Sequence, residues 1–294
     1  MSIALHETSL DIPLGRIAGL RGGQRGDARV LALHGWLDNA ASFVPLAAHL
    51  QRVELVAIDL PGHGRSVHLP AGAHYTFELA VHHVLDVADV LGWDRFRLLG
   101  HSMGAGIASL VAAAAPERVE KLVCIEALGG LAEQPDHTAR RMRESVAATR
   151  ALRDKPLRVF ESPEPAIQAR MRANAMSEPV ARLLVERGIR AVPGGCEWSS
   201  DQRLTVPTFL RPVDAQIESL LAGIECPTRV LFAEPAQPYL PHATRSRYAA
   251  ALRTGEMFVL PGTHHLHMEA PAQVAAVVAG FLSDAACGGP DVSP

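Results

Sequence analysis

The 294-residue chain is 48% hydrophobic and 20% charged, with a net charge of -3. That balance fits a folded soluble protein, excludes disordered and collagen-like classes, and lacks the basic footprint that nucleic acid binding needs. Its four cysteines, Cys124, Cys196, Cys226 and Cys287, contain no C-x-x-C pair, which excludes a small disulfide scaffold and cysteine-based zinc sites.

The first residues, Met-Ser-Ile-Ala-Leu-His-Glu, have neither the basic nor the apolar region of a secretory signal. No run reaches the ~18 apolar residues of a membrane span. The expectation is a cytoplasmic protein with no membrane partner. Short apolar runs at Val30–Leu33, Leu55–Ile58, Arg97–Leu99 and Leu122–Ile125 are each bounded by turn residues, which predicts parallel strands covered on both faces. Between them, Phe77–Leu91 repeats apolar residues at close to the 3.6-residue helical period. Met103–Ala115 is small and apolar nearly all round, a helix buried against a sheet, and Pro116 stops it. From Leu131 to about Gly223 the rhythm breaks into a segment rich in Arg, Pro, Ala and Glu, too long for a loop. Its arginines and lysine at 140, 141, 143, 150, 153, 155 and 158 read first as a solvated helix face, and second as a basic rim that attracts an anionic substrate. The rhythm returns with strands at Arg229–Phe232 and Met257–Leu260 and a closing helix at Pro271–Leu282. The predicted organisation is a core of residues 1–130 and 224–284, a helical cap at 131–223, and a flexible tail at 285–294.

Gly100-His101-Ser102-Met103-Gly104 follows a predicted strand and opens a predicted helix, the context a G-x-S-x-G nucleophile elbow requires. The glycines make room for a sharp turn that lifts the Ser102 hydroxyl above the sheet. A serine needs a base to take its proton. His264 is that candidate, in the Pro261–Glu269 loop between the last strand and the last helix. His265 and His267 read as neighbours that line or buttress the pocket, because no zinc-binding helix or cysteine accompanies them. An oxyanion hole needs two N–H donors: that of Met103, directly after the nucleophile, and that of Trp36, in the strand-end turn His34-Gly35-Trp36. Asp59 reads as holding the turn around Pro61-Gly62-His63-Gly64, and Asp38 and Asn39 as helix caps.

In their order along the chain, His34-Gly35-Trp36, the Ser102 elbow and a late His264 resemble the α/β-hydrolase fold family. The stretches His34–Phe43 and Ile58–Gly64 are similar to the serine hydrolase-like proteins within it. The resemblance covers nearly the whole chain and is weakest across the cap. It implies an α/β fold with a mostly parallel sheet, helices on both faces, and a helical cap inserted between the sixth and seventh strands. It also implies a Ser–acid–His triad. The family's usual acid position holds Ala236 here, in Phe232-Ala233-Glu234-Pro235-Ala236. Glu126, directly after the Leu122–Ile125 strand, is the expected acid, since a residue just past a strand's C-terminal end points into the crevice of such a sheet. Glu234 is the alternative acid.

The expected activity is cleavage of a small or medium apolar carboxylic ester through an acyl-enzyme, by a monomer or homodimer, with no metal or organic cofactor. The alternatives are a catalytically impaired fold that only binds a ligand, and the same triad acting on amide, thioester or C–C bonds. Trp198, Leu204, Val206, Phe209 and Leu210 are candidates either to line an acyl pocket or to pack the cap onto the core.

Overall fold

The computed structural model describes residues 2–152 and 157–283. Arg153, Lys155, Cys287 and the tail at 285–294 lie outside them. An antiparallel ribbon, β1 (His6–Ile12) and β2 (Gly15–Gly22), opens the chain. There follow β3 (Ala28–Leu33), a 3-10 turn at Ala40–Phe43 running into α1 (Val44–Ala47), β4 (Val53–Ile58), α2 (Phe77–Val90), β5 (Phe96–His101), α3 (Met103–Ala114) and β6 (Val119–Ile125). The insertion carries α4 (Thr138–Leu152), α5 (Pro163–Asn174), α6 (Glu178–Gly188), a hairpin of β7 (Ile189–Val192) and β8 (Gly195–Trp198), and α7 (Asp214–Ala222). The chain then returns as β9 (Thr228–Glu234), α8 (His242–Ala250), β10 (Gly255–Pro261), α9 (Leu266–Glu269) and α10 (Pro271–Ser283).

The eight-stranded sheet has the order β1-β2-β4-β3-β5-β6-β9-β10. All pairs are parallel except β1–β2 and β2–β4. Every residue of β4 and β5 is buried, as expected of central strands covered on both sides. One apolar layer places α2, α3 and α7 on one face, and a second places α1 and α10 on the other. No helix among the described residues is long and apolar enough to cross a membrane.

Two pieces of β structure escaped the sequence reading. The β1–β2 ribbon forms an edge whose first strand, His-Glu-Thr-Ser-Leu-Asp-Ile, has no apolar run. Its second strand contains Gly19, where a Cβ would meet the Ala57 carbonyl oxygen at 2.5 Å, so close strand approach replaces side-chain packing there. The insertion, expected to be helical, includes the β7–β8 hairpin, whose strands are only four residues long. Pro193 and Gly194 make its turn, with Gly194 at φ +88°.

Candidate active site

At the end of β5 the backbone of Ser102 is forced to φ +50° and ψ -117°. A non-glycine residue reaches this region at a cost of about 1–3 kcal/mol, and only where its surroundings compel it. The compulsion is steric and hydrogen-bonded. A Cβ at Gly104 would lie 2.0 Å from the Leu33 carbonyl oxygen, and one at Gly100 would lie 2.4 Å from Ala105 Cα. The Ser102 N–H donates to the Ile125 carbonyl at 2.8 Å, while its own carbonyl starts α3 by accepting from Ala105 and Gly106. As the first residue of α3, Met103 has an N–H without an acceptor inside the helix.

The same construction recurs one strand over. Glu126 directly follows β6, has φ +61°, and donates its N–H to the Leu231 carbonyl of β9 at 2.8 Å. Its side chain is buried. One carboxylate oxygen accepts the Ala233 N–H, and the other lies 2.9 Å from His264 Nδ1. The far ring nitrogen, Nε2, is 3.0 Å from Ser102 Oγ. A buried carboxylate needs such partners to offset its desolvation. A third comes from Arg245, buried on α8 and anchored on the Leu240 and Ala233 carbonyls at 2.8 Å each, with its guanidinium 3.9 Å from Glu126 Oε1. Nothing in the sequence singled out Arg245; only the register of α8 brings it beneath the carboxylate. The alternative acid, Glu234, is 48% exposed in its side chain and pairs with His242 at 2.9 Å. The structure therefore brings Ser102, His264 and Glu126 together, and leaves Glu234 outside the group.

The histidine run does not converge on one point. His267 is fully buried with Nε2 2.6 Å from Ser42 Oγ, and His265 reaches Asp38 at 3.3 Å. Asp38 corrects an expectation. Asn39 alone caps the 3-10 turn, accepting from the Ala41 N–H, whereas Asp38 is a buried hub. Its carboxylate binds Arg170 of α5, faces His265, and lies 3.6 Å from Nδ1 of His101. His101 in turn donates Nε2–H to the His264 carbonyl at 2.8 Å. One carboxylate thus touches the neighbours of Ser102 and His264 and a helix of the insertion. Asp38, His101 and His265 also bring one donor atom each within 4.8 Å, but Arg170 already supplies the positive charge there. Asp38→Asn is expected to destabilise the fold by about 3–5 kcal/mol, because it strands a buried guanidinium. Chemical denaturation measures this, and Arg170→Met in the Asp38→Asn background should recover much of the loss.

Asp59 holds its turn as expected, accepting from the Arg65 and Ala40 N–H groups at 2.9 and 2.8 Å, and it also pairs with the buried Arg187. His34 is neutral. Burial pushes its pKa down to about 3, its Nδ1–H donates to the Gly35 carbonyl, and Nε2 accepts the Leu60 N–H.

Ser102 and His264 open onto a cavity of about 720 Å³. Trp36, Met103, Leu204, Val206 and Tyr239 are among its lining residues. Gly35 lets the Trp36 turn lie against the elbow, since a Cβ there would meet His101 Nδ1 at 2.9 Å. The Trp36 indole N–H donates to the Leu204 carbonyl at 2.8 Å, tying this turn to the insertion. The proposed acyl-pocket set divides: Leu204 and Val206 reach the cavity, Trp198 packs edge-on against Phe160 within the insertion, and Phe209 and Leu210 are exposed.

The α/β hydrolase fold family matches residues 28–160. Serine hydrolase-like protein 2 of Homo sapiens is 31% identical over 95% of this chain and 94% of its own length. A serine hydrolase-like protein of Danio rerio is 29% identical over 96% of this chain and 90% of its own. A solved structure of a hypothetical protein from Pseudomonas aeruginosa PAO1 is 40% identical, covers 95% of this chain and 99% of its own, and superposes with a TM-score of 0.88. By these likenesses and by its fold, the chain belongs to the α/β-hydrolase fold family, in the company of the serine hydrolase-like proteins.

Proposed function

We propose that the protein is a serine hydrolase of carboxylesterase type that cleaves a small or medium ester through an acyl-enzyme. The observation that carries this reading is the unbroken line from Ser102 Oγ through both His264 ring nitrogens to Glu126, at 3.0 and 2.9 Å, open to a largely apolar cavity. In this reading Glu126 fixes His264 with its proton on Nδ1, so that Nε2 is free to take the Ser102 proton as Oγ attacks the ester carbonyl. The Met103 and Trp36 N–H groups receive the oxyanion, each worth about 3–4 kcal/mol in the transition state. His264 then hands the proton to the departing alkoxide. Water, activated by the same imidazole, releases the acid and restores Ser102.

A fluorophosphonate probe tests this directly. Wild type is expected to be labelled at Ser102 and to hydrolyse para-nitrophenyl butyrate, and Ser102→Ala is expected to lose both. A wild type that is neither labelled nor active on para-nitrophenyl acylates of any chain length would make the molecule a ligand-binding fold instead.

A further inference from the structure

We propose that the preferred ester carries an anionic group, a carboxylate or phosphate, at the end remote from the scissile carbonyl, and that Arg211 receives it in the cavity wall. This rests on the esterase reading above and names the class of ester.

The charged groups of the cavity are almost all spoken for. Glu126 belongs to His264, and Asp38 to Arg170. Arg203 is bound to Asp201 and to the Leu69, Pro70 and Ala73 carbonyls. Arg141 donates to Glu133 at 2.8 Å, and Glu144 stands 3.8 Å from Arg140. Arg211 lines the same cavity and, among the described residues, has no hydrogen bond or ion pair. Its surroundings do not favour a second cation. Partial burial and the nearby Arg141 guanidinium both lower its pKa, and only Glu133, already held by Arg141 and His137, works the other way. Arg211 keeps an exposed face as well, and a guanidinium set beside another one gains from an anion.

A second observation points to the same wall. Three residues earlier, Thr208 lines the cavity with its Oγ1 buried and without a partner. That hydroxyl can donate to an anion's oxygen beside the Arg211 fork. Trp36, Leu204 and Val206 are among the apolar residues of the lining. An ester with an apolar middle and a charged end matches that combination.

The test compares esters in matched pairs. Mono-para-nitrophenyl glutarate places the charge on the acyl side and is paired with para-nitrophenyl butyrate. Para-butyryloxybenzoate places it on the alcohol side and is paired with phenyl butyrate. For one of the two pairs, wild type is expected to favour the anionic ester in kcat/KM by about tenfold, the ratio one charge-assisted hydrogen bond gives. The preference should shrink with added salt. In Arg211→Gln that ratio should collapse towards one, and in Arg211→Glu it should invert. Neutral esters turned over with no anionic preference, or a preference that survives Arg211→Gln, would overturn the assignment. No turnover of any ester and no fluorophosphonate labelling would overturn the esterase reading and this one with it.

Discussion

Glu126→Gln is expected to lower kcat by ~10³–10⁴ while a fluorophosphonate still reaches Ser102 at a reduced rate. The substitution keeps size and, with the amide oxygen toward β9, the acceptor for the Ala233 N–H. It also removes the counter-charge of the buried Arg245, so circular dichroism accompanies the kinetics to show that the variant is folded. What changes is the partner of His264 Nδ1, now 2.9 Å from a carboxylate oxygen. An amide N–H turned toward that nitrogen holds the imidazole with its proton on Nε2, where it cannot accept from Ser102. An amide oxygen turned toward it preserves the tautomer but sets the amide NH2 against the Ala233 N–H and no longer stabilises the imidazolium. Glu234→Gln is the control: its carboxylate pairs with His242 at the surface, and kcat should stay near wild type. Steady-state kinetics of both variants decide the matter. An active Glu126→Gln beside a dead Glu234→Gln would assign the acid to the other carboxylate.

Stability is expected to fall steeply once the pH drops below about 6.5, the ordinary histidine value. Burial pulls the pKa of His34, His63 and His265 down to about 3, and that of His101 and His267 well below the ordinary value, with neighbouring histidines adding to the last two. A depressed histidine is neutral in the fold but takes a proton when unfolded, so the unfolded chain binds more protons throughout that window. The stabilisation is therefore complete above the unfolded value and is lost as the pH falls from there towards 3. Each such histidine costs about 1 kcal/mol between pH 6.5 and 5.5. Summed over these histidines, the loss is of the order of a domain's entire stability, about 5–15 kcal/mol. Urea midpoints at pH 7.5 and 5.5 should differ sharply, and equal midpoints would contradict the neutral, buried state.

The elements of the candidate site were legible because each has a local signature. The Ser102 elbow needs glycines at fixed offsets, and the structure shows the backbone atoms that would collide with any Cβ there. Glu126 was legible through topology, since the residue past a strand of a wound sheet faces the crevice. Asp38 was misread because its sequence context is that of a cap, and its partners Arg170, His101 and His265 are brought to it only by folding. Arg245 and Arg211 were invisible for a related reason. An arginine outside any motif looks solvated until the packing shows what lies beside it. The β1–β2 ribbon escaped because its strands are recognised by backbone pairing more than by apolar pattern.

Ser102 and Glu126 end adjacent strands, β5 and β6, and both are encoded before the chain departs into the segment that precedes β9. Two of the three groups proposed to react are therefore fixed to each other independently of that excursion, and only the loop with His264 lies beyond it. A chimaera that swaps the excursion for a relative's should change which molecules are accepted while leaving bond cleavage intact. One condition attaches to such a graft. Asp38 and Asp59 stay behind in the host, so the donor segment has to present cations where Arg170 and Arg187 now stand, or the host is left with orphaned negative charges beneath the candidate site.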